Sequence, residues 1–381
     1  MMNLIHKIIR FLKRETVLTC AWILAIISAF FVHPDSRYIS YIDFSSLLIL
    51  WSLMVIMQFF SSEGIFVLTG KKLLTLTKKI WQLALVLILL CFFTSMLITN
   101  DVALITFVPF SILMLTACNR KDLLIPVIVL QTIAANTGSM FTPVGNPQNL
   151  YLFSLMNCSL KEFLMLMLPY TGFSFILLLG GILLLKNKTE PCGNMKDDSS
   201  FIRINPLTSG IYALLFITAI LTVLKFIPFY VLAGLVLIAT LIIKAPILLK
   251  ADYALLFTFI GFFIFTGNIA RIEVFKKALE NLVAGNEVLT GIAASQVISN
   301  VPAALLLSGF ASNLKALTTG VNIGGLGTLI ASMASLISYK LYTQTPECKK
   351  SSYMLYFTTA NIITLLLLIS LNFLIKFTPL Y

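Results

Sequence analysis

Residues 80–118 read IWQLALVLILLCFFTSMLITNDVALITFVPFSILMLTAC, and residues 287–313 read EVLTGIAASQVISNVPAALLLSGFASN. Both are apolar runs with a polar centre: Thr99-Asn100-Asp101-Val102-Ala103 in the first, Ser299-Asn300-Val301-Pro302-Ala303 in the second. In the second run, the leg from 288 to 299 makes about 18 Å of helix at 1.5 Å per residue. That is too short for a hydrocarbon core of about 30 Å. Such a leg reaches mid-depth and turns back, which puts Ser299 and Asn300 inside the membrane. The first run is longer, so two full spans with the motif outside would also accommodate it. Its centre falls on Thr99, however, and its match to the second run favours a re-entrant helical hairpin there too.

Each motif has a second motif downstream. Asn136-Thr137-Gly138-Ser-Met-Phe-Thr142 follows the first, and Asn322-Ile-Gly324-Gly-Leu-Gly-Thr328 follows the second, with the same N-x-G-x-x-x-T spacing. Each pair comes after an amphipathic segment (63–79 and 271–285) and before a final long span. Four motifs in one order predict an internal repeat. The first repeat covers residues 1–185, with hairpin 80–118 and a broken helix over 122–158. The second covers 206–381, with hairpin 287–313 and a broken helix over 314–340. Between them lies a soluble-looking linker, 186–205, KNKTEPCGNMKDDSSFIRIN. Other runs of spanning length fall near 17–33, 43–62, 160–185, 206–227, 229–249, 252–270 and 353–377.

Composition agrees with this reading. The chain has 381 residues, 59% hydrophobic and only 11% charged, with a mean hydropathy of +0.98. A soluble domain carries about a quarter charged residues, so a cytosolic enzyme is excluded, as are a disordered chain and a disulfide scaffold. Long apolar runs rather than short alternating ones exclude a porin-like barrel. The class is an all-α polytopic membrane protein embedded in a lipid bilayer. Cys20, Cys91, Cys118, Cys158, Cys192 and Cys348 form no C-x-x-C pair, and the chain has two His, so neither a metal site nor a redox site is expected. No phosphate-binding G-x-x-x-x-G-K-[ST] loop occurs, and no catalytic Ser–His or paired-carboxylate arrangement is visible. The chain is read as no enzyme and without a cofactor. The basic start, Met1–Glu15, leads into the run at 17–32, which reads as an uncleaved first helix rather than a signal peptide.

The net charge of +12 reflects topology, not nucleic-acid binding, because no basic stripe is interleaved with aromatics. With the N-terminus inside, each full span crossing and each hairpin returning, eight basic residues lie outside: Arg37, Lys161, Lys225, Arg271, Lys276, Lys277, Lys315 and Lys376. The other 19 of the 27 lie inside, as the positive-inside rule requires. This arrangement puts the C-terminus outside and the two hairpins on opposite sides. The repeats then have inverted topology, a common architecture of secondary transporters. A bacterial cytoplasmic (inner) membrane is the expected location.

Among fifteen carboxylates, Asp101 alone sits within a long apolar run. An ionisable group at mid-depth is costly and by default marks an ion or proton path. Its alternative role is helix capping with Thr99 and Asn100, but a cap needs no charge. Asn100, Asn300, Thr99 and Ser299 offer neutral oxygens at the two tips, where helix N-termini also suit an anion. In NTGSMFTPVGNPQN (136–149), Gly138, Pro143, Gly145 and Pro147 break the helix. Unwound backbone at membrane depth is tolerated where it is buried or lines a cavity. Its carbonyls can coordinate a cation, while Thr142, Asn146 and Asn149 can hydrogen-bond a substrate. In GVNIGGLGTLIAS (320–332), Asn322, Gly324 and Thr328 are the corresponding candidates; Gly320-x-x-x-Gly324 also suits close helix packing.

Together these residues resemble the ion transporter superfamily, which includes citrate permeases, divalent anion/sodium symporters, arsenite-efflux pumps and sodium/proton antiporters. Thr99-Asn100 and Ser299-Asn300 are similar to the Ser-Asn-Thr hairpin tips of the anion symporters, and Gly145-Asn146-Pro147-Gln148-Asn149 to their G-T-P-P-N stretch. Gly320-Val-Asn322-Ile-Gly324 with Thr328 resembles the corresponding second-half segment of arsenite pumps and antiporters. At the third tip position this chain has Asp101 and Val301, and valine cannot ligate sodium. The Asn-Asp pair is closer to the arsenite-pump and antiporter branches, where the resemblance implies proton coupling. It also implies a transport domain moving against a scaffold, and homodimers in the anion symporter branch. The expected function is secondary active transport of a small anion, a di- or tricarboxylate or an inorganic oxyanion, with Asp101 binding the coupling proton or sodium (Na+). The rivals are a sodium/proton antiporter, an arsenite-type permease, a channel and a non-transporting membrane scaffold.

Overall fold

The computed structural model describes residues 15–65, 68, 77, 79–185, 205–346 and 348–376. The basic N-terminal stretch, most of the 63–79 segment and the linker up to residue 204 lie outside the described residues. Regular structure among the described residues is helical, without strands. The first half contains α1 (Thr16–Phe31), α2 (Arg37–Tyr41), α3 (Phe44–Ser62), α4 (Ile80–Ser95), α5 (Asn100–Ala117), α6 (Leu124–Ser139), α7 (Pro147–Met156) and α8 (Leu160–Leu183). The second half contains α9 (Pro206–Val223), α10 (Phe229–Lys244), α11 (Tyr253–Ile269), α12 (Glu273–Val283), α13 (Glu287–Ile298), α14 (Asn300–Leu307), α15 (Leu314–Ile323), α16 (Met333–Thr343) and α17 (Lys350–Lys376).

Both polar-centred runs turn at their motifs. The first is α4 and α5 joined through Met96–Thr99, and the second is α13 and α14 joined at Ser299, whose φ of 75° makes the reversal. The legs of each pack together. The two hairpins differ in their second legs. The 18 residues of α5 extend about 27 Å, while the eight of α14 extend about 12 Å. By length and composition α5 is one of seven membrane-span candidates among the described residues; α14 is not. The two broken helices are α6 followed by α7, and α15 followed by α16. The first break runs from Met140 to Asn146 and contains Pro143 and Gly145; Gly138, expected to break the helix, lies within α6, and Pro147 opens α7, while Gly327, at φ 108°, lies in the second break.

The packing places the breaks at the centre. α4 lies on α6, and α13 lies on α15. The second hairpin legs pack across the halves, α5 on α16 and α14 on α7. Around this group, α1 pairs with α11, and α3 packs on α9 and α10. In the α6 span 83% of the window is buried, against 22% for α17, so α6 is the inner axis and α17 an outer wall. Phe30, Ile242 and Leu184 are among the exposed apolar side chains that suit lipid. α12 leaves α11 at a bend of 108° and carries Val274, Phe275 and Leu282 exposed beside Lys276 and Lys277. That is the pattern of a helix lying in the membrane interface.

Lipid tails are as apolar as leucine, so burial of apolar surface drives helix association weakly here; close packing and internal hydrogen bonds must do more. Both are visible where hairpin meets break. A Cβ on Gly138 would lie 2.2 Å from the Phe92 carbonyl oxygen and 2.6 Å from Ser95 Oγ, and one on Gly324 would lie 2.8 Å from Ser295. Only glycine permits these approaches.

Candidate substrate and ion site

The unwound segments leave carbonyl oxygens that must find donors away from water. The hairpin tips supply them. Asn100 N–H donates to the Gly145 carbonyl (3.1 Å), and Asn300 N–H donates to the Ala331 carbonyl (2.9 Å). Asn100 Oδ1 accepts from Asp101 N–H, and Asn300 Oδ1 from Val301 N–H, each at 3.0 Å. Thr142 Oγ1 donates to the Met96 carbonyl, and Thr328 Oγ1 donates to the Gln296 carbonyl (3.1 Å). The same contacts therefore recur at equivalent positions in the two halves.

The two halves also interlock through their helix caps. Asn146 caps α7, accepting from Asn149 N–H, and donates to Asn322 Oδ1 at 3.3 Å. Ser332 caps α16 and donates to Asn136 Oδ1 at 2.9 Å. Asn136 Oδ1 also accepts from Asn100 Nδ2 (3.1 Å), and Asn322 Nδ2 donates to Asn149 Oδ1 (2.6 Å). Asn149 Nδ2 in turn holds the carbonyls of Ser139, Met140 and Thr142. These residues come from both halves of the chain, far apart in sequence, and all are buried except Thr142, which is half-buried.

At the middle of this lattice is a small cavity of about 10 Å³, lined by Asn100, Asp101, Pro147, Gln148, Asn300, Val301, Ser332, Met333 and Leu255. That is about the room one water needs. Eight of the nine form four adjacent pairs at the N-termini of α5, α7, α14 and α16. Each N-terminus carries roughly half a positive charge. No Lys or Arg is among the lining residues, and Asp101 is their one carboxylate. Asp101 Oδ1 is buried without a hydrogen-bond partner, and so are both polar atoms of the Gln148 amide.

The sequence candidates divide accordingly. Asn100, Asp101 and Asn300 line the cavity. Asn136, Asn146, Asn149 and Asn322 surround it with their carboxamides engaged by one another and by backbone. Gly145 is bonded to the first tip through its carbonyl. Thr99 precedes α5 without a side-chain cap bond, and Ser299 Oγ donates to the Ala331 carbonyl at 3.4 Å. Thr137 Oγ1 bonds its own helix at Ile133, while Gly138 and Gly324 serve close packing against the hairpins. Thr142 and Thr328 pin the breaks to the hairpins, and Thr328 is exposed, away from the cavity.

Sequence reasoning missed Gln148, Ser332, Leu255 and Gln296. Gln296 binds the second break three ways: Nε2 donates to the Gly324 and Leu326 carbonyls (2.8 and 2.9 Å), and Oε1 accepts from Thr328 N–H (2.9 Å). Ser332 could have been found by aligning the two halves on their N-x-G-x-x-x-T motifs, since it then stands opposite Asn146. No one-dimensional signal marks Leu255, which comes from α11 outside both hairpins and breaks.

The family model described as citrate transporter matches residues 4–337. The chain belongs to the citrate transporter family. An uncharacterized transporter, MJ0456, of Methanocaldococcus jannaschii is 35% identical over 304 residues, covering 79% of this chain and 81% of that protein. The inner membrane protein YbiR of Escherichia coli (strain K12) is 29% identical over 310 residues, covering 79% and 80%. The P protein of Homo sapiens is 25% identical over 151 residues, which is 39% of this chain and 17% of that protein. Membership in this family makes the chain a multi-pass membrane transporter, and the family match spans both the hairpin tips and the two breaks.

Proposed function

We propose that this citrate-transporter-family chain is a secondary active transporter of a small anion, coupled to protons or sodium by alternating access. The observation that supports it most is the meeting of four helix N-termini around a single carboxylate, in a cavity lined by no basic side chain. The summed dipoles favour one negative charge there. In the empty site an ionised Asp101 supplies that charge. An arriving anion competes with it, and a proton or sodium ion bound at Asp101 removes the competition. Substrate and coupling ion then bind better together than apart, which is the linkage symport needs.

A cavity of about 10 Å³ does not hold a carboxylate substrate, so loading requires the site to open. The hairpins and breaks form the moving body, and α1, α3 and α9–α11 the body it moves against, with Leu255 of α11 at the contact. Hairpins that enter from opposite faces, in repeats of inverted topology, give each side of the membrane its own route to the site. The small cavity favours one further reading: a sodium/proton antiporter in which Asp101 binds the two cations in turn.

The test uses purified protein in liposomes with an imposed pH gradient and a pH-sensitive dye. One arm adds sodium or lithium salts of an impermeant anion; the other adds citrate, dicarboxylates and inorganic oxyanions at fixed sodium. The anion reading predicts a response to particular anions alone. Collapse of the gradient by the cation alone replaces it with the antiporter. Folded protein silent in both arms and in sodium-driven tracer uptake of the same anions contradicts transport by either route.

A further inference from the structure

We propose that Gln148 is the working partner of Asp101, a positioning residue that holds the carboxyl group in both of its protonation states; the proposal rests on reading Asp101 as the coupling group. Gln148 is 1% exposed, yet neither Nε2 nor Oε1 has a hydrogen-bond partner, and it lines the same cavity as Asp101, whose Oδ1 is also without one. A buried amide with all its capacity unused is costly, on the order of 1–3 kcal/mol for each group in general, and calls for an explanation. The neighbouring amides of Asn146 and Asn149, in the same turn, are fully engaged, so the vacancy is specific to Gln148.

The repeat supplies an independent argument. Asn100 matches Asn300, Asn136 matches Asn322, and Asn146 matches the cap Ser332. Two lining positions break the polar match, and both do so in the first half: Asp101 stands opposite Val301, and Gln148 opposite Ala334. The frame is shared while the carboxylate and the free amide occur together on one side of it. An amide suits this pairing because it offers both roles: Nε2–H donates to an ionised carboxylate, and Oε1 accepts from the protonated acid. The cavity leaves room for about one water between them, or for direct contact after a rotamer change. No bond forms or breaks beyond the proton's arrival at or departure from Asp101; among the described residues, the other charged group whose field reaches Asp101 is Asp252, the cap of α11, in the turn that brings Leu255 to the cavity.

The experiment is a pH titration of the purified full chain in lipid nanodiscs, with its six glutamines labelled at the side-chain nitrogen and read by NMR. Gln148→Leu identifies the Gln148 signal by removing it; Gln148→Glu does so if the leucine variant fails to fold. The expected result is a Gln148 signal that shifts with pH between about pH 5 and about pH 9 and becomes pH-independent in Asp101→Asn. A merely structural glutamine would not follow the Asp101 charge. A Gln148 signal that stays fixed over this range, or one that still titrates in Asp101→Asn, overturns the pairing. Unimpaired coupled transport by Asp101→Asn would retire the coupling reading instead, and leaves the NMR result to judge the pair alone.

Discussion

Asp101 combines three properties at one residue: a buried oxygen without a partner, a place among four helix N-termini, and no basic neighbour lining its cavity. Asp101→Asn keeps the shape and removes the charge, so the variant is expected to fold with a wild-type melting temperature. Accumulation of substrate against its gradient should fall at least tenfold, roughly the effect of 1.4 kcal/mol in coupling. Proteoliposome uptake with and without a pH gradient measures this. Asn146 makes a contrasting prediction. Its loss in Asn146→Ala removes the α7 cap, typically about 1 kcal/mol, and strips Asn322 Oδ1 of a donor, about 1–3 kcal/mol more. Thermal melting in detergent should show it, and Ser332→Ala, the equivalent cap in the second half, should cost less, about the cap alone, because Asn136 Oδ1 keeps its Asn100 Nδ2 donor. Asp101 was legible in the sequence because a lone carboxylate in an apolar run stands out. Gln148 was not, because it sits in the same pentapeptide as Asn146 and Asn149, and sequence cannot distinguish an engaged amide from an idle one.

At the scale of elements, the N-x-G-x-x-x-T motif acquires a physical meaning for each of its letters. The asparagine crosses to the other half, the glycine lets a hairpin leg approach, and the threonine ties the break to that hairpin. The spacing was readable; these separate duties were not, since they depend on which helix each face meets. Gly145→Ala should be severely destabilising, because its Cβ would lie 2.1 Å from the Ser139 carbonyl oxygen, which is backbone. Overpacking of this kind costs about 1–3 kcal/mol or more. Gly180→Ala in α8 meets nothing within 4 Å and should leave the melting temperature unchanged or raise it slightly, by about 0.5–1 kcal/mol in helix preference. Expression yield and melting of the two variants, side by side, check the contrast.

For the whole molecule, most of the candidate spans among the described residues, such as Phe44–Ser62 and Leu160–Leu183, fall on apolar runs of spanning length in the sequence. The greater length of the first polar-centred run was legible, but not how unequal the second legs are: α5 is long enough to cross while α14 is a short stub. The difference arises after the motif, where Leu307 gives way to Ser308-Gly309 but the first run stays apolar to Ala117. The proposed topology puts Lys121 inside and Lys277 outside. In a cysteine-free background of right-side-out cells, an impermeant maleimide should label Lys277→Cys and spare Lys121→Cys until the membrane is opened; the reverse pattern would reject the inverted arrangement.

One electrostatic property underlies the proposed transport: the cavity holds a single negative charge, either the Asp101 carboxylate or the substrate. The most direct measurement is proton uptake by purified protein in weakly buffered solution when a transported anion is added. At saturating anion in sodium-free buffer, at a pH where Asp101 is ionised in the empty site, the wild type should take up close to one proton per binding site, and Asp101→Asn should bind the anion with none. Anion binding by the wild type in this sodium-free buffer without proton uptake would contradict that property.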